Sequence, residues 1–416
     1  MKRADSAHDF GRPQAQDHEN PARAGVGGVC ALSSATNPSS RPRRDSDGAF
    51  CFSAPVSPAQ QWRHNVPSPS TNPRQAPRLR RSPPVVAIIG ATGAVGRELL
   101  GVLERREFPL AELRLYASQR SAGTVLPFRG NDITVAALND STFAGVDLAL
   151  FSAGAKTARQ YAPAAVRHGA VVIDNSSAFR MDPAVPLVVP EINPDEIARH
   201  SGIIANPNCA AIIALLPLWP LHRRNPIRRA IIATYQAASG AGATAMAELR
   251  EATRAVLEGR AYPPRVLPHP YAFNLFSHDT PVDPATGYND EETKVINEAR
   301  KIFGAPELRI GVTCIRVPVL RAHAMALTIE CEHPITADQA RAFLSDAPGL
   351  RLVDDAERNR FPMPSEATGQ DEVLVGRIRQ DLSDPSGRSL ALFVAGDQLL
   401  KGAALNAVQI AERLLP

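Results

Sequence analysis

The chain has 416 residues, with 46 Lys and Arg against 42 Asp and Glu and a net charge of +4. This length predicts two or three domains, and the absence of any run near the ~20 apolar residues that span a bilayer excludes a membrane protein. Aromatic residues make up only 5%, which argues against a base-stacking nucleic-acid surface. The five cysteines form no CxxC pair, so neither a metal site nor a disulfide framework is supported.

Residues 1–82 come first in chain order and carry a net charge of +6, against −2 for the rest of the chain. They are rich in Pro and Ser and have no apolar periodicity, so we predict a disordered N-terminal extension. Arg and Ser beyond residue 48 are typical of a transit peptide, whereas the acidic residues before it are not. An extension without a function, a targeting peptide and a basic arm for nucleic acid remain alternatives.

A short β-branched run at 85–89 is typical of a buried strand, and it leads into Gly90, Gly93 and Gly96. Apolar residues at 95, 99, 100 and 103 then predict an amphipathic helix. A strand, a glycine turn and a helix N-terminus together form a cradle for the pyrophosphate of a dinucleotide. A glycine-rich turn that binds nothing is the alternative interpretation.

The second predicted strand, at 113–117, indicates which dinucleotide is bound. An NAD site has an acidic residue at the end of this strand, which hydrogen-bonds to the ribose. Here the strand is followed by two hydroxyls and a guanidinium, those of Ser118, Ser121 and Arg120, which favour the 2′-phosphate of NADP. Further strands at 146–151 and 171–173 alternate with helical stretches, so we predict an α/β fold with a parallel, doubly wound sheet.

Cys209 follows the turn sequence Asn-Pro-Asn and precedes an apolar stretch at 210–218. Asn and Pro are typical of helix N-termini, so the cysteine is predicted in the first turn of a helix. That position stabilises a thiolate and lowers the pKa of a thiol. A cysteine beside Ala and Ile is explained equally well as a core residue. Cys314 and Cys331 lie in alternating apolar runs and are predicted to be core residues.

Ten histidines are candidates to exchange a proton with this thiol. His323 differs from the others because it follows Arg316 and Arg321 and precedes an apolar alternation at 325–329. A strand entry beside two arginines is typical of the edge of a substrate site. The residues alone leave the choice of histidine open.

Four segments together resemble the aspartate-β-semialdehyde dehydrogenase family: GATGAVG at 90–96, NPNC at 206–209, QAASGAG at 236–242 and RVPVLRAH at 316–323. The resemblance covers about residues 84–416. It implies a Rossmann-like NADP-binding domain, formed by 83–208 and 388–416, and an α+β catalytic and dimerisation domain at 209–387. The implied assembly is a homodimer, with a tetramer as the alternative.

The resemblance implies NADPH-dependent reductive dephosphorylation of L-4-aspartyl phosphate to L-aspartate 4-semialdehyde and inorganic phosphate. This step belongs to the biosynthesis of lysine, threonine, methionine and isoleucine. Cys209 is the implied nucleophile, which forms a thioester, and His323 is the implied general acid and base. Gln236 is implied to orient the cysteine and substrate, and Asn208 to donate to the oxyanion.

The resemblance also assigns groups to the charges of substrate and cofactor. Arg316 corresponds to the arginine that binds the α-carboxylate, and Glu291 to the carboxylate that binds the ammonium group. Arg180 and Lys294 correspond to phosphate contacts. The implied cofactor contacts are Gly90, Thr92, Gly93, Ala94 and Val95 at the pyrophosphate, Ser118, Arg120 and Ser121 at the 2′-phosphate, and Ser239, Gly240, Gly242 and Gln398 at the nicotinamide. Gln398 departs from the family pattern, which predicts Asn at this position.

Two other functions remain as alternatives. N-acetyl-γ-glutamyl-phosphate reductase shares the nucleotide loop, but the acylated amine of its substrate has no positive charge for Glu291 to pair with. A non-catalytic NADP-binding sensor needs only the segment 90–96. A nucleophilic cysteine requires a reducing compartment, which we expect to be the cytoplasm, or a plastid if residues 1–82 are a transit peptide.

Overall fold

The computed structural model describes residues 78–416, so most of the predicted disordered extension, residues 1–77, lies outside the described part. Residues just before the first strand are bonded to the body of the protein. Arg80 Nε donates to Asp147 Oδ1 at 3.2 Å, and Asp147 Oδ2 accepts from Val85 N at 2.9 Å. The boundary predicted at residue 82 is therefore too late, because the buried Asp147 carboxylate takes its cationic partner from before that point.

A parallel sheet with helices on both faces forms the first part of the described chain. Its six strands are ordered β5-β2-β1-β6-β7-β8, and every neighbouring pair is parallel. The predicted doubly wound sheet is confirmed. The elements are β1 (Val85–Ile89), α1 (Ala94–Arg105), β2 (Glu112–Ala117), the hairpin β3 (Val125–Phe128) and β4 (Asn131–Thr134), β5 (Ala136–Ala137), β6 (Leu148–Phe151), α2 (Ala155–Arg167), β7 (Val171–Asp174) and β8 (Ile203–Ala205).

A mixed seven-stranded sheet, ordered β10-β11-β9-β12-β15-β14-β13, forms the second part. Its elements are α3 (Cys209–Arg224), β9 (Ile227–Gln236), α4 (Ala243–Leu257), β10 (Phe276–Ser277), α5 (Asp290–Phe303), β11 (Arg309–Arg316), β12 (His323–Cys331), α6 (Ala337–Leu344), β13 (Leu350–Leu352), α7 (Pro364–Ala367), β14 (Val373–Gln380) and β15 (Ser389–Gly396). Helices α3, α5 and α6 share one core with alternate strand residues, including Cys314 and Cys331 as predicted. Within residues 78–416, no helix is long and apolar enough to cross a bilayer.

The chain returns to the parallel sheet through a π-helical turn (Leu400–Ala404) and α8 (Leu405–Glu412). Residues of α8 pack with α1 in the core of the parallel sheet, as expected for the C-terminal segment. The predicted boundary at residue 388 is wrong, because β15 pairs antiparallel with β12 and β14 in the mixed sheet. A continuous apolar run is compatible with a strand of either sheet, since its pairing partner is not encoded locally.

Candidate active site

Cys209 is the first residue of α3, as the turn sequence predicts. The helix begins there because Asn208 caps it: Asn208 Oδ1 accepts from Ala210 N at 2.8 Å and from Ala211 N at 3.1 Å. The unpaired N–H groups of a first helical turn favour negative charge nearby. The Cys209 thiol therefore lies at the N-terminus of α3, the end of the helix that stabilises negative charge.

Two buried carboxylates of α5 hold Asn208 in place. Glu298 Oε2 accepts from Asn208 N at 2.6 Å, and Glu291 Oε1 accepts from Asn208 Nδ2 at 2.9 Å. Residues seven apart lie on one face of a helix, so both carboxylates point toward the start of α3. Sequence reasoning missed Glu298, although its spacing from Glu291 was a visible signal.

His323, at the start of β12, faces the thiol. Its Nε2 lies 3.8 Å from Cys209 Sγ, and its Nδ1 accepts from Ala237 N at 3.0 Å. Because Nδ1 is an acceptor, the proton of the neutral ring is on Nε2, the atom that faces sulfur. Burial, together with the positive charge of Arg316, lowers the pKa of His323 to about 3. The ring is therefore neutral near pH 7.

The thiol is also neutral in the free protein. Burial, reinforced by the negative charge of Glu291, raises the pKa of Cys209 to about 12, although Arg180 and Arg316 act in the opposite direction. The lowered pKa that the helix N-terminus predicts is therefore wrong. Desolvation of a thiolate depends on what packs around it in three dimensions, and here it outweighs the favourable end of α3.

Arg316, at the end of β11, presents an unpaired donor. Its Nε donates to Asp279 Oδ1 at 2.9 Å, while its Nη1 is buried and has no hydrogen-bond partner among the described residues. A Cβ placed on Gly240 would lie 3.2 Å from this Nη1 and 3.2 Å from His323 Nε2. Guanidinium and imidazole thus border one small space, which glycine leaves open. A free arginine donor there suits a carboxylate.

Gln236 and Lys294 surround Glu291. Gln236 Nε2 donates to Glu291 Oε1 at 3.3 Å, and Lys294 Nζ donates to Glu291 Oε2 at 3.4 Å. Burial by itself would raise the pKa of Glu291, but the charges of His278 and Lys294 and the amide donors lower it to about 2. Glu291 is therefore an ionised carboxylate that suits an ammonium group. Gln236 contacts this carboxylate rather than the thiol.

Hydrogen bonds of Arg180 connect the segment before α3 to α5. Its Nε donates to Asn206 O at 2.9 Å, its Nη1 to Glu298 Oε1 at 3.1 Å and its Nη2 to Asn175 O at 2.8 Å. A guanidinium has five N–H groups, so two remain for another ligand. The side chain is buried and its charge acts on Cys209. Arg180 therefore combines a structural role with a potential phosphate contact.

The glycine turn after β1 fits a dinucleotide pyrophosphate. Gly90 has φ of +90°, and a Cβ there would lie 2.8 Å from Ser152 O, so a side chain is excluded. Gly93 caps α1 without a side-chain bond, which leaves the first-turn N–H groups at Ala94 and Val95 open, next to Thr92. Open N–H groups at this end of a helix bind phosphate.

The turn after β2 fits the 2′-phosphate of NADP. A short 3-10 helix contains Arg120 and Ser121, and Ser118 directly precedes it. The Arg120 guanidinium is exposed and makes no hydrogen bond or ion pair within residues 78–416. Because β2 lies next to β1, this turn and the glycine turn share one edge of the sheet. A free guanidinium between two hydroxyls at that edge suits a phosphate.

Gln398 bridges two loops of the site. Its Oε1 accepts from Ala322 N at 3.0 Å, and its Nε2 donates to Ser239 Oγ. The side chain is buried between the loop that precedes His323 and the turn that leads through Gly242 into α4. Both ends of its amide are engaged within the protein, which favours a bridging role over the implied contact with the nicotinamide.

Sequence reasoning also missed two residues of the π-helical turn. A Cβ placed on Gly402 would lie 2.9 Å from Cys209 Cβ, so this glycine allows the turn to pack against Cys209. Lys401 is fully buried, and its Nζ donates to Glu191 Oε2 at 2.6 Å and Gln409 Oε1 at 2.7 Å. A lysine within an apolar run carries no sequence signal of burial, because lysines are mostly exposed.

Comparison with known protein families gives a consistent result over both sheets. The family described as semialdehyde dehydrogenase, NAD binding domain, matches residues 85–200. The family described as semialdehyde dehydrogenase, dimerisation domain, matches residues 218–401. Among relatives, the aspartate-semialdehyde dehydrogenase of Synechocystis sp. is 55% identical over 80% of this chain and 98% of its own length. That of Prochlorococcus marinus is 51% identical over 80% of this chain and 96% of its own.

Solved structures are similar along the same part of the chain. The aspartate semialdehyde dehydrogenase II of Vibrio cholerae, complexed with ASA, is 42% identical with a TM-score of 0.77, covering 80% of this chain and 98% of that one. The enzyme of Candida albicans with NADP has a TM-score of 0.62 at 22% identity, covering 80% of this chain and 98% of that one. The second likeness concerns the fold alone.

Alkylation of Cys209 by iodoacetamide should become about tenfold faster with each pH unit between about pH 6 and 9, because only the thiolate reacts and its pKa lies far above that range. Mass spectrometry of the peptide that contains Cys209 measures the rate. The core thiol Cys331 is the internal control and should stay unmodified. A rate that levels off near neutral pH would contradict the raised pKa.

Proposed function

We propose residue roles for the reaction of the aspartate-semialdehyde dehydrogenase family, to which this chain belongs. That reaction is the NADPH-dependent reductive dephosphorylation of L-4-aspartyl phosphate to L-aspartate 4-semialdehyde and inorganic phosphate. It serves the biosynthesis of lysine, threonine, methionine and isoleucine. The observation that carries the roles is the 3.8 Å separation of Cys209 Sγ and His323 Nε2, beside the unpaired Nη1 of Arg316.

Four charged side chains bind the substrate. Arg316 pairs with the α-carboxylate through its unpaired donor, and the ionised Glu291 pairs with the ammonium group. Lys294 and the remaining N–H groups of Arg180 bind the phosphate. Bound at both ends, the substrate presents its acyl carbon to Cys209, so that attack becomes effectively unimolecular.

Acylation begins when Cys209 Sγ attacks the acyl carbon. The bond from that carbon to the phosphate oxygen breaks, and the departing phosphate takes up the thiol proton. During attack, negative charge develops on the carbonyl oxygen. Asn208 caps the N–H groups of Ala210 and Ala211, so the donors left to stabilise this charge are the backbone N–H of Cys209 and the second Nδ2 hydrogen of Asn208. Cys209 then holds the acyl group as a thioester.

Reduction requires a hydride, which NADPH supplies when it is bound at the two turns described above. His323 is neutral, and its Nε2–H group donates a hydrogen bond to the oxygen of the sulfur-bound carbon, which stabilises the negative charge that develops there. When the carbon–sulfur bond breaks, the carbonyl forms again and the aldehyde is released. Sulfur leaves as a thiolate and takes a proton from water, because burial disfavours the charge on Cys209.

The alternative substrate, N-acetyl-γ-glutamyl phosphate, fits this site less well. Glu291 is ionised and buried, and an acylated amine offers no positive charge to pair with it. The relatives named above are aspartate-semialdehyde dehydrogenases, which also argues against a non-catalytic sensor.

The open face of the mixed sheet supports a homodimer. Helices α3, α5 and α6 cover one face of this sheet, and Ile231 of β9 is 40% exposed on the opposite face. Ala233 and Tyr235 point to the same side, since alternate residues of a strand share a face. The match of residues 218–401 to a dimerisation domain supports oligomer formation. A second copy that packs on this face would bury its apolar side chains.

A reducing compartment, the cytoplasm, is the proposed location. Cys209, Cys314 and Cys331 are free thiols in the described part of the chain. Oxidation of Cys209 would remove the nucleophile, and cytosolic thiols are kept reduced. A plastid, the alternative, would meet the same requirement.

The reverse reaction should form NADPH from L-aspartate 4-semialdehyde, NADP and inorganic phosphate, and its rate should depend on phosphate. Cys209→Ser should lower kcat by at least about 1,000-fold, because an alkoxide is much harder to form than a thiolate. Absorbance of NADPH measures the rate. Cys331→Ala, which removes a buried thiol at the end of β12, is the control. Retained activity in Cys209→Ser would refute the proposed nucleophile.

Arg120→Ala should raise the KM for NADP by about tenfold and leave the KM for NAD within about twofold, because only NADP carries the 2′-phosphate. Steady-state kinetics with each cofactor measures the change. Arg167→Ala, which removes an exposed arginine at the end of α2, should alter neither KM. An equal effect of Arg120→Ala on both cofactors would disprove its contact with the phosphate.

Ile231→Asp should halve the molar mass of the assembly, because a carboxylate on the open sheet face cannot be buried without a partner. Size-exclusion chromatography with light scattering measures the mass. Val125→Asp, at a similarly exposed apolar position in β3, is the matched control. A homodimer that persists in Ile231→Asp would place the interface elsewhere.

A further inference from the structure

We propose that Asp279 is a positioning residue that orients Arg316 toward the α-carboxylate of the substrate. The inference rests on the function proposed above, in which Arg316 binds that carboxylate. Asp279 belongs to the segment 278–280, which follows β10 and has no role in the mechanism described so far. The contacts of this segment connect it to both ends of the bound amino acid.

The backbone fixes where Asp279 lies. Phe276 of β10 pairs antiparallel with Arg316 of β11, and His278 N then donates to Cys314 O at 2.9 Å. The segment is therefore attached to the strand that carries Arg316. Asp279 Oδ1 accepts from Arg316 Nε at 2.9 Å. The backbone beside Asp279 is hydrogen-bonded to β11, so the Asp279 carboxylate holds the Nε edge of the Arg316 guanidinium in place.

Fixing that edge determines where the rest of the guanidinium points. The group is planar, so a bond at Nε limits rotation about the last side-chain torsions. Its Nη1 then lies 3.2 Å from the position of a Cβ on Gly240, in the space that His323 Nε2 also borders. This Nη1 is buried without a partner in the described residues. Asp279 therefore keeps an unsatisfied donor aimed at the reaction space before substrate arrives.

The same segment touches the ammonium end of the site. Thr280 Oγ1 accepts from Glu291 N at 3.2 Å, at the start of α5. Residues 279 and 280 therefore contact the carboxylate-binding and the ammonium-binding residues, respectively. The segment therefore links the strand that carries Arg316 to the start of α5, which carries Glu291. The segment 278–280 is thus placed to select a substrate with a free α-amino acid group.

The variants Asp279→Ala and Asp279→Asn test this role in the full-length enzyme. Asp279→Ala should raise the KM for L-aspartate 4-semialdehyde by about tenfold and leave the KM for NADP within about twofold. Asp279→Asn keeps an acceptor for Arg316 Nε and should restore most of the loss, to within about threefold of wild type. Asp283→Asn, an exposed aspartate in the same loop, is the control and should match wild type.

A double-mutant cycle separates positioning from general loss of structure. In Arg316→Lys, which cannot be held in the same planar geometry, Asp279→Ala should cause no further rise in KM, because both changes remove one interaction. Thermal unfolding of each variant with bound NADP checks that the fold persists. Additive effects in the cycle would show that Asp279 does not act through Arg316.

One result for Asp279→Ala would overturn the proposal. Removing a negative charge beside Arg316 makes the site more positive, so a lower or unchanged KM for the semialdehyde in Asp279→Ala would overturn the proposal. Wild-type turnover is measured in parallel. An inactive wild type would refute the proposed function itself, whereas an active wild type with an unaltered Asp279→Ala would refute only this inference.

Discussion

The buried bonds between α5 and the start of α3 determine the geometry of the site. Glu298 accepts from the backbone of Asn208, and Glu291 accepts from its side chain. Asn208 in turn caps α3, so these carboxylates set the position of Cys209. The same two carboxylates also bond to Arg180 and Lys294. Cys209 and the side chains proposed to bind the substrate therefore share one support, the inner face of α5.

Contacts between the two sheets complete this arrangement. Arg321 lies two residues before His323, and its Nη1 donates to Glu98 of α1 at 2.6 Å. Its Nε donates to Asp397 at 2.7 Å, next to the bridging Gln398. The helix behind the glycine turn is thus bonded to the loop that carries the histidine. The groups proposed to bind the cofactor and those proposed to act in catalysis are thus connected by charge-assisted bonds.

Local sequence predicted the features that depend on local chemistry. The cap at Asn208, the glycine turn and the strand entry at His323 follow from turn residues and apolar alternation, and the structure has each of them. The pKa of Cys209 and the pairing of β15 were predicted wrongly, because burial and strand partners arise only when distant segments meet. Asp279 was missed for the same reason: its importance lies in a contact with Arg316, 37 positions away.

The packing of Gly402 against Cys209 has a consequence for the order of assembly. The π-helical turn and α8 follow both sheets in chain order, so they are synthesised after them. The surroundings of Cys209, the proposed nucleophile, are therefore incomplete until this segment has been synthesised, even when α3 and α5 have already formed. Docking of this segment, anchored by the buried Lys401, places Gly402 against the Cβ of Cys209. The packing around Cys209 is thus completed only once this late segment has docked, although the residue stays partly exposed in the folded protein.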